Sequence, residues 1–423
     1  MKIALTTVGS TGDTQPYIAL AETLVAAGHQ VRVVSHPFHE ARFRARGIDY
    51  AACGPIVTQQ RLNEMLDRML ATRNPVKQLR LLMEGAFFEE GEKYFRQAKA
   101  ATAGFDLAVS HMADFLGQEA VSQNGIPRIG VILAPAAIPT KYAPPVLAPN
   151  LGAPLNRVWW QIMTWLLAGT SNRAMRFLRS LGGTEQRIVR FSAHGPELNL
   201  IAASPHLCPT FSDLPPEFKV VGHWRLPEPD YEPDPALAAF LAKHPRPVIV
   251  SLGSMGGTKG EALTARLLRS LEISGQPAII QSGYAGLFAE KVPAQVHFAG
   301  YVPHDWLFAR GSCVVHHGGA GTSHAACRAG IPSIVIAFIA DQPYFAENMQ
   351  RIGVAPKFIW HHRFTPERLA RRIQQVVRDA EMQSRAHQLG EKLRVENGRE
   401  NALRVIEEYG AHTRDNPKRM AGV

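Results

Sequence analysis

Two histidines, three glycines and a threonine fall together in His316-His317-Gly318-Gly319-Ala320-Gly321-Thr322-Ser323. The segment follows the apolar pair Val314-Val315 and precedes the helix-forming run His324-Ala325-Ala326-Cys327-Arg328-Ala329, closed by Gly330. The first N–H groups of a helix have no partner within it, and the helix dipole makes that end attractive to an anion. Small residues there let the anion approach the backbone, so a pyrophosphate suits this cradle, with His317 and Thr322 as side-chain donors. The same residues also suit a tight strand–helix turn that binds nothing. Downstream, Asp341-Gln342-Pro343 offers acceptors and donors for sugar hydroxyls, although alone it reads as a helix N-cap followed by proline. The third candidate is Asp13, in the glycine-bearing loop Gly9 to Thr14. A carboxylate at the end of a strand can take the proton of an attacking hydroxyl if it lies within hydrogen-bond reach. In water its pKa is about 3.9, so the role requires desolvation, which an apolar acceptor closing over it supplies.

These groups need strands and helices to hold them, and the chain alternates accordingly. Apolar, β-branched runs predict strands at Ile3–Thr7, Val31–Ser35, Asp106–Ser110 and Pro127–Leu133. A helix is predicted from Tyr17 to Ala27, closed by Gly28. Four prolines and four acids stand between Leu226 and Pro235, which suits an extended linker. The alternation then restarts, with strands predicted at Pro247–Leu252, Pro277–Gln281, Val296–Phe298, Cys313–His316 and Ser333–Ile336. Strand–helix alternation implies a parallel sheet covered on both faces. Two such halves make an α/β protein whose ligands sit at the carboxyl ends of the strands, in the cleft between sheets. Two helical regions stand apart: one around 59–103, and one from Leu155 to Leu181 that carries Trp159, Trp160 and Trp165. Such an aromatic cluster is more often core than ligand surface.

In order and spacing, Tyr301-Val302-Pro303-His304-Asp305-Trp306-Leu307-Phe308, His316 to Thr322, Arg328-Ala329-Gly330-Ile331-Pro332 and Asp341-Gln342-Pro343-Tyr344-Phe345 resemble the donor-site signature of the UDP-glycosyltransferase superfamily. The resemblance is to its sterol glucosyltransferase and bacterial antibiotic or glycolipid glycosyltransferase branch, and Gly9 to Leu20 and Ser251 to Met255 share it. It covers the start of the first half and most of the second; residues from about Gln59 to Leu226 match loosely. What it implies is a GT-B fold, two Rossmann-like parallel-sheet domains facing each other across a cleft. It also implies inversion at the anomeric carbon, no metal, and no cofactor beyond a UDP- or dTDP-sugar co-substrate.

Carried over by position, the resemblance gives Val302 a backbone contact to the base, with Tyr301 or Trp306 packing beside it. Ser254, His317, Gly319, Gly321 and Thr322 would hold the pyrophosphate, with Gly318, Ala320 and Ser323 completing the phosphate loop. Asp341 and Gln342 would hold the sugar. The nucleotide-binding arginine common in the antibiotic branch is not evident, which leaves the donor open. Plant relatives have a histidine at the position of Asp13, paired with an aspartate in a later loop that falls near His111 here. An Asp13–His111 pair with exchanged residue types follows; the alternative for His111 is a surface or capping histidine. Family members build acceptor pockets from the regions of Trp159, Trp160 and Trp165 and of residues 59–103. A lipophilic, hydroxylated acceptor is therefore expected, whether sterol, polyketide, carotenoid or hydroxy-fatty acid. The domains would be an acceptor domain at 1–225, a linker at 226–236 and a donor domain at 237–400. A helix at 401–412 would return to the first domain, and 413–423 would be a flexible tail.

Composition sets limits on this reading. The 423 residues exceed one ordinary core, and the formal net charge is +10. Lys and Arg are dispersed with no basic run interleaved with aromatics, so nucleic acid is not an expected partner. Cys53, Cys208, Cys313 and Cys327 form no C-x-x-C pair, which fits a reducing cytoplasm and not a zinc site. No D-x-D motif is present, and the N-terminus turns into a loop too soon for a signal peptide. Val158 to Ala168 is too short to span a membrane. With the positive charge, its apolar face suits transient docking on an anionic membrane, at the inner face of the cell envelope. The chain is expected to be a monomer or homodimer. A Rossmann dehydrogenase is excluded because Gly9 to Gly12 lacks G-x-G-x-x-G. The alternatives are a nucleotide-sugar epimerase of the same fold and a catalytically silent nucleotide-sugar-binding protein.

Overall fold

The computed structural model describes every residue except 57, 73, 75, 76, 79, 82–89, 184–197, 229, 256–259, 284, 285, 340 and 416–423, and the side chains of 59, 62 and 168–171. In chain order the first lobe contains β1 (Lys2–Thr6), α1 (Thr11–Ala26), β2 (Gln30–Ser35), α2 (Glu40–Arg44), β3 (Asp49–Ala52), α3 (Gln59–Ala71) and α4 (Gly91–Thr102). Then come β4 (Leu107–His111), α5 (Phe115–Gln123), β5 (Arg128–Ile132), α6 (Ala153–Ser180), β6 (Asn199–Ile201) and β7 (Phe218–Val220). The second lobe runs α7 (Pro235–Lys243), β8 (Val248–Ser251), α8 (Gly260–Ser274), β9 (Ala278–Gln281), β10 (Val296–Ala299), α9 (His304–Phe308) and β11 (Cys313–His316). It continues with α10 (Ala320–Ala329), β12 (Ser333–Ala337), α11 (Gln342–Ile352), β13 (Ile359–Trp360), α12 (Pro366–Arg378), α13 (Ala380–Arg394) and α14 (Gly398–Asp415).

Both sheets are parallel throughout, in the orders β3-β2-β1-β4-β5-β6-β7 and β10-β9-β8-β11-β12-β13. These are doubly wound sheets, and the order in which strands are added reverses between β1 and β4 and between β8 and β11. A crevice opens at the carboxyl ends of those strand pairs, where such folds bind ligands. The nine predicted strands all form, each end shifted by no more than one residue. Four short strands were not predicted, β3, β6, β7 and β13. The edge strands β3, β7 and β13 are two to four residues long and mixed in polarity, whereas β6 lies inside the sheet and buries Leu200 and Ile201 in the core.

The beginning of α1 differs from expectation. Residues read as a loop, Thr11 to Thr14, form its first turn, and Pro16 sits inside the helix. A capping box drives this: the Ser10 hydroxyl accepts from Gly12 N (3.2 Å), and the Asp13 carboxylate accepts from Ser10 N (2.7 Å). Between the lobes, Leu226 to Asp234 carries neither helix nor strand, with Pro229 outside the described residues. Helix α7 starts at Pro235, inside the predicted linker, because the Asp234 carboxylate caps Leu237 N (2.8 Å).

At the other end, α14 returns to the first lobe. Ala402 and Ile406 are fully buried in one cluster with Ile3, Leu5, Tyr17 and Trp224, and Asn401 Nδ2 donates to Val221 O (3.1 Å). Thr413 to Asp415, expected as flexible tail, are the last turn of this helix; Thr413 is buried and its hydroxyl bonds Gly410 O (3.1 Å). The remainder of that tail, 416–423, lies outside the described residues.

A second apolar cluster belongs to both lobes. Ile132, Ile201 and Leu207 of the first pack with Cys327, Phe345 and Met349 of the second. The lobes are thereby held with their strand ends opposed. The docking of α14 is measurable. Ile406→Ala should cost about 2–5 kcal/mol, the range for a large-to-small change in a tight core. Urea unfolding followed by tryptophan fluorescence would report it, and a loss below ~0.5 kcal/mol would mean that α14 does not anchor the lobe.

Candidate active site

On the first lobe, the site is built on the β1–α1 turn. Gly9 has φ 116°, and a Cβ on it would collide with the Asp13 carboxylate, which folds back over the turn. The hydrogen bonds to that carboxylate from Ser10 N (2.7 Å) and Ser10 Oγ (2.9 Å) both end on Oδ2. Oδ1 accepts no hydrogen bond among the described residues. The ring of His39 reaches the Gly9 carbonyl (Nε2 to O, 3.0 Å), and Arg42 Nη1 donates to Thr11 Oγ1 (2.9 Å).

His111 is the last residue of β4, next to β1, and is 6% exposed with its ring edge-on to Tyr17. It is therefore neither a surface nor a capping histidine. No hydrogen bond joins it to Asp13 among the described residues, so the expected pair is not formed as a bonded dyad. The two still feel each other. Burial holds the His111 pKa below the usual histidine value, while the charge of Asp13 acts in the opposite sense.

On the second lobe three loops converge. Gly318 has φ 89°, and a Cβ there would meet Gln342 O and Val335 Cγ1 at 2.9 Å, so only glycine lets this turn pack against α11. The Gly318 N–H donates to His316 Nδ1 (3.1 Å), which tightens the turn from within. His317 lies against Gly253 and Gly319, and Met255 Sδ is 3.4 Å from Gln342 Nε2. Ser254 is thus in a turn that touches both other loops. Helix α10 starts at Ala320 with Gly319 as N-cap and no side-chain cap bond, so its end is open. A Cβ at Gly321 would meet nothing within 4 Å, which is the space an anion needs. In the first turn of α10, Thr322 is 8% exposed and Ser323 is fully buried.

Burial, then the neighbouring His304, pushes the His317 pKa down to about 4, so it is neutral and offers one N–H and one lone pair. Gln342 is buried and its Oε1 accepts from Phe338 N (2.7 Å) and Ile339 N (3.1 Å), bracing the loop before α11. Asp341 is the N-cap of α11 by position but makes no side-chain cap bond. Its pKa is pushed up to about 7, first by burial and then by Asp13 across the cleft. The Asp13 carboxylate, in the β1–α1 turn, is therefore close enough to act on Asp341, which follows β12.

The base-side residues are more scattered. Val302 is buried and its carbonyl accepts from Gln281 Nε2 (2.6 Å). Tyr301 is 74% exposed, with its hydroxyl on the Glu228 carboxylate (2.7 and 2.9 Å). Trp306 packs edge-on to Tyr231 beneath the Arg310 guanidinium. Among the three tryptophans, Trp160 donates to Ala143 O (2.9 Å) and lines a cavity of about 60 Å³ with Ile138, Phe211 and Tyr344. Trp159 is half-buried but not part of that cavity. Trp165, 74% exposed, points to solvent, so it does not line an acceptor pocket here. The cavity is too small for an aglycone without opening.

Sequence reasoning missed the contact that joins the two halves of the site. His324 on α10 accepts from Ser204 N of the first lobe (3.1 Å), donates to Ala320 O (2.7 Å) and stacks on His223 at 4.1 Å. Arg225 and Arg328 clasp Asp305 beside it. The partners come from two segments, 204–225 and 305–328, and no periodicity marks their meeting. Among the described residues no three His, Cys, Asp or Glu side chains form a metal-binding group.

Two family models match the chain. One, the glycosyltransferase family 28 N-terminal domain, covers residues 3–106. The other, the erythromycin biosynthesis protein CIII-like C-terminal domain, covers residues 279–402. A sterol 3-beta-glucosyltransferase of Leptosphaeria maculans is 28% identical over 96% of this chain, which spans only 28% of that protein's length. The O-mycaminosyltylonolide 6-deoxyallosyltransferase of Streptomyces fradiae is 29% identical over 98% of both chains. Among solved structures, the glycosyltransferase of kitacinnamycin superposes with a TM-score of 0.69 at 21% identity, over 96% of this chain and 98% of that one. VinC, crystallised with dTDP, gives 0.66 at 18% identity, over 96% and 99%. With two opposed doubly wound sheets and a donor-type loop cluster already evident, these likenesses agree on both lobes: the chain belongs to the UDP-glycosyltransferase superfamily, in the branch of the sterol and antibiotic glycosyltransferases, and has the GT-B fold.

Proposed function

We propose that this protein is an inverting, metal-independent glycosyltransferase. It would move a hexose from a UDP- or dTDP-sugar to a hydroxyl of a lipophilic acceptor, a sterol or polyketide aglycone. The observations that carry the reading are the open N-terminus of α10 and the electrostatic influence of Asp13, in the β1–α1 turn, on Asp341, which follows β12 of the other lobe. A sugar held by Asp341 and Gln342 then has its anomeric carbon between the phosphate loop and Asp13. The acceptor oxygen attacks that carbon as its bond to the diphosphate breaks, and the hydroxyl proton passes to Asp13 Oδ1. Ser10 keeps Oδ2 fixed and so orients the carboxylate. An apolar acceptor closing the cleft desolvates the base and makes it stronger. The departing diphosphate is stabilised by the open N-terminus of α10 and by the N–H of neutral His317, fixed dipoles that need no reorganisation. The acceptor class rests on the sterol- and macrolide-modifying relatives, and the choice of diphosphate on the dTDP complex of VinC. Four unpaired, buried cysteines support a reducing, cytoplasmic setting.

Asp13→Asn should lower turnover by about 10²–10⁴-fold, the usual contribution of a general base, with nucleotide affinity unchanged. Radiolabelled sugar transfer and calorimetric titration of UDP and dTDP would measure the two. Turnover within a factor of a few of the parent would remove Asp13 from the chemistry, and epimerised donor without transfer would point to another reaction.

Asp341 gives a pH signature. Its folded pKa, about 7, lies above the unfolded value of about 3.9, so the folded state holds a proton that the unfolded chain has released. Stability should therefore fall as pH rises through that window and level off above it. Asp341→Asn loses no cap bond and removes this slope. Without nucleotide, its melting temperature should match the parent near pH 4 and exceed it at pH 8, while sugar transfer drops. Parallel melting curves would show that Asp341 does not face a second carboxylate.

A further inference from the structure

Helix α6 is apolar on two opposite sides. Leu167, Ala174 and Leu178 are buried against the first lobe. Leu155, Val158, Ile162, Trp165 and Leu166, at i, i+3, i+7, i+10 and i+11, face outward with exposures of 48, 44, 39, 74 and 41%. At helical spacing these five fall on one face, which scattered exposed hydrophobics would not do. The charge of the segment is one-signed. Between Lys141 and Ser180 stand Lys141, Arg157, Arg173, Arg176 and Arg179, without a single Asp or Glu. Arg173 and Arg176, at i+18 and i+21 from Leu155, are exposed and continue the apolar stripe along the same side. No helix among the described residues is long and apolar enough to cross a membrane.

We propose that α6 is a membrane-surface helix whose outer stripe enters the acyl boundary of an anionic bilayer while its arginines meet lipid phosphates. An amphipathic helix with a Leu/Trp face and arginine as its only ionised residue has the composition such surfaces select. A second copy of the chain is the poorer occupant, because apposing two such faces brings like charges together in a protein already at +10. The proposal requires no donor or acceptor and stands apart from the reading of the cleft.

The test is flotation of the full-length protein with vesicles of phosphatidylglycerol and phosphatidylcholine against phosphatidylcholine alone. Binding is expected only with the anionic lipid and should weaken as salt is raised. The double variant Trp165→Glu, Leu166→Glu alters two exposed side chains and should lower the bound fraction by roughly tenfold or more. Trp165→Phe should retain binding, and circular dichroism melting should show each variant folded. Absence of flotation with anionic vesicles, or equal flotation of the double variant, overturns the proposal. So does a dimer in sedimentation that the double variant converts to monomer, since that assigns the face to a second copy.

Discussion

Everything at the site depends on the apolar cluster shared by the two lobes. Residues at the ends of β5 and β6 interlock with α10, α11 and β12, so the two sheets cannot turn their carboxyl edges apart without exposing Ile132, Phe345 and Met349. That contact sets the distance across which Asp13 and Asp341 interact. Neither carboxylate would be unusual on an isolated lobe. Partly buried and within reach of one another's charge, they make it costly to keep both ionised, and on the proposed function a bound sugar would offer hydroxyls to both.

The histidine-rich loops of the second lobe carry little charge of their own. Burial holds His304, His317 and His324 near pKa 4 and His316 near 3, so the histidine-rich appearance of this lobe adds no positive charge at neutral pH. What remains is the end of α10 and a set of neutral N–H donors. Such an arrangement attracts a diphosphate through oriented dipoles and releases it again more readily than a ring of arginines. His324 adds a mechanical link. Through Ser204 it ties the first turn of the phosphate helix to the other lobe, so any hinge motion must pull on the phosphate site itself.

Helix α6 shows how one element serves two solvents. Its inner side satisfies the core, while its outer side is unlike the surface of an ordinary soluble helix, with leucine, isoleucine and tryptophan where charges are expected. A lipophilic acceptor dissolved in a bilayer and an enzyme resting on that bilayer would meet without crossing water. Trp160 on the same helix lines the small cavity with Ile138, Phe211 and Tyr344.

Much of this was legible in residue order. Local periodicity determined the strands, because an apolar run of four or five residues buried on both sides admits few other conformations, and glycines with a following helix determined the turn between β11 and α10. The capping box at Ser10 and Asp13 was written there too, but Pro16 disguised it as a loop. Short edge strands left no pattern, since their pairing comes from a neighbour's backbone and not from their own side chains. The relation of His111 to Asp13, the raised pKa of Asp341, the His324 link and the outward turn of Trp165 were decided only by tertiary structure. Each depends on a distance between residues far apart in the chain, or on which side of a helix the core happens to lie, and a one-dimensional pattern carries neither.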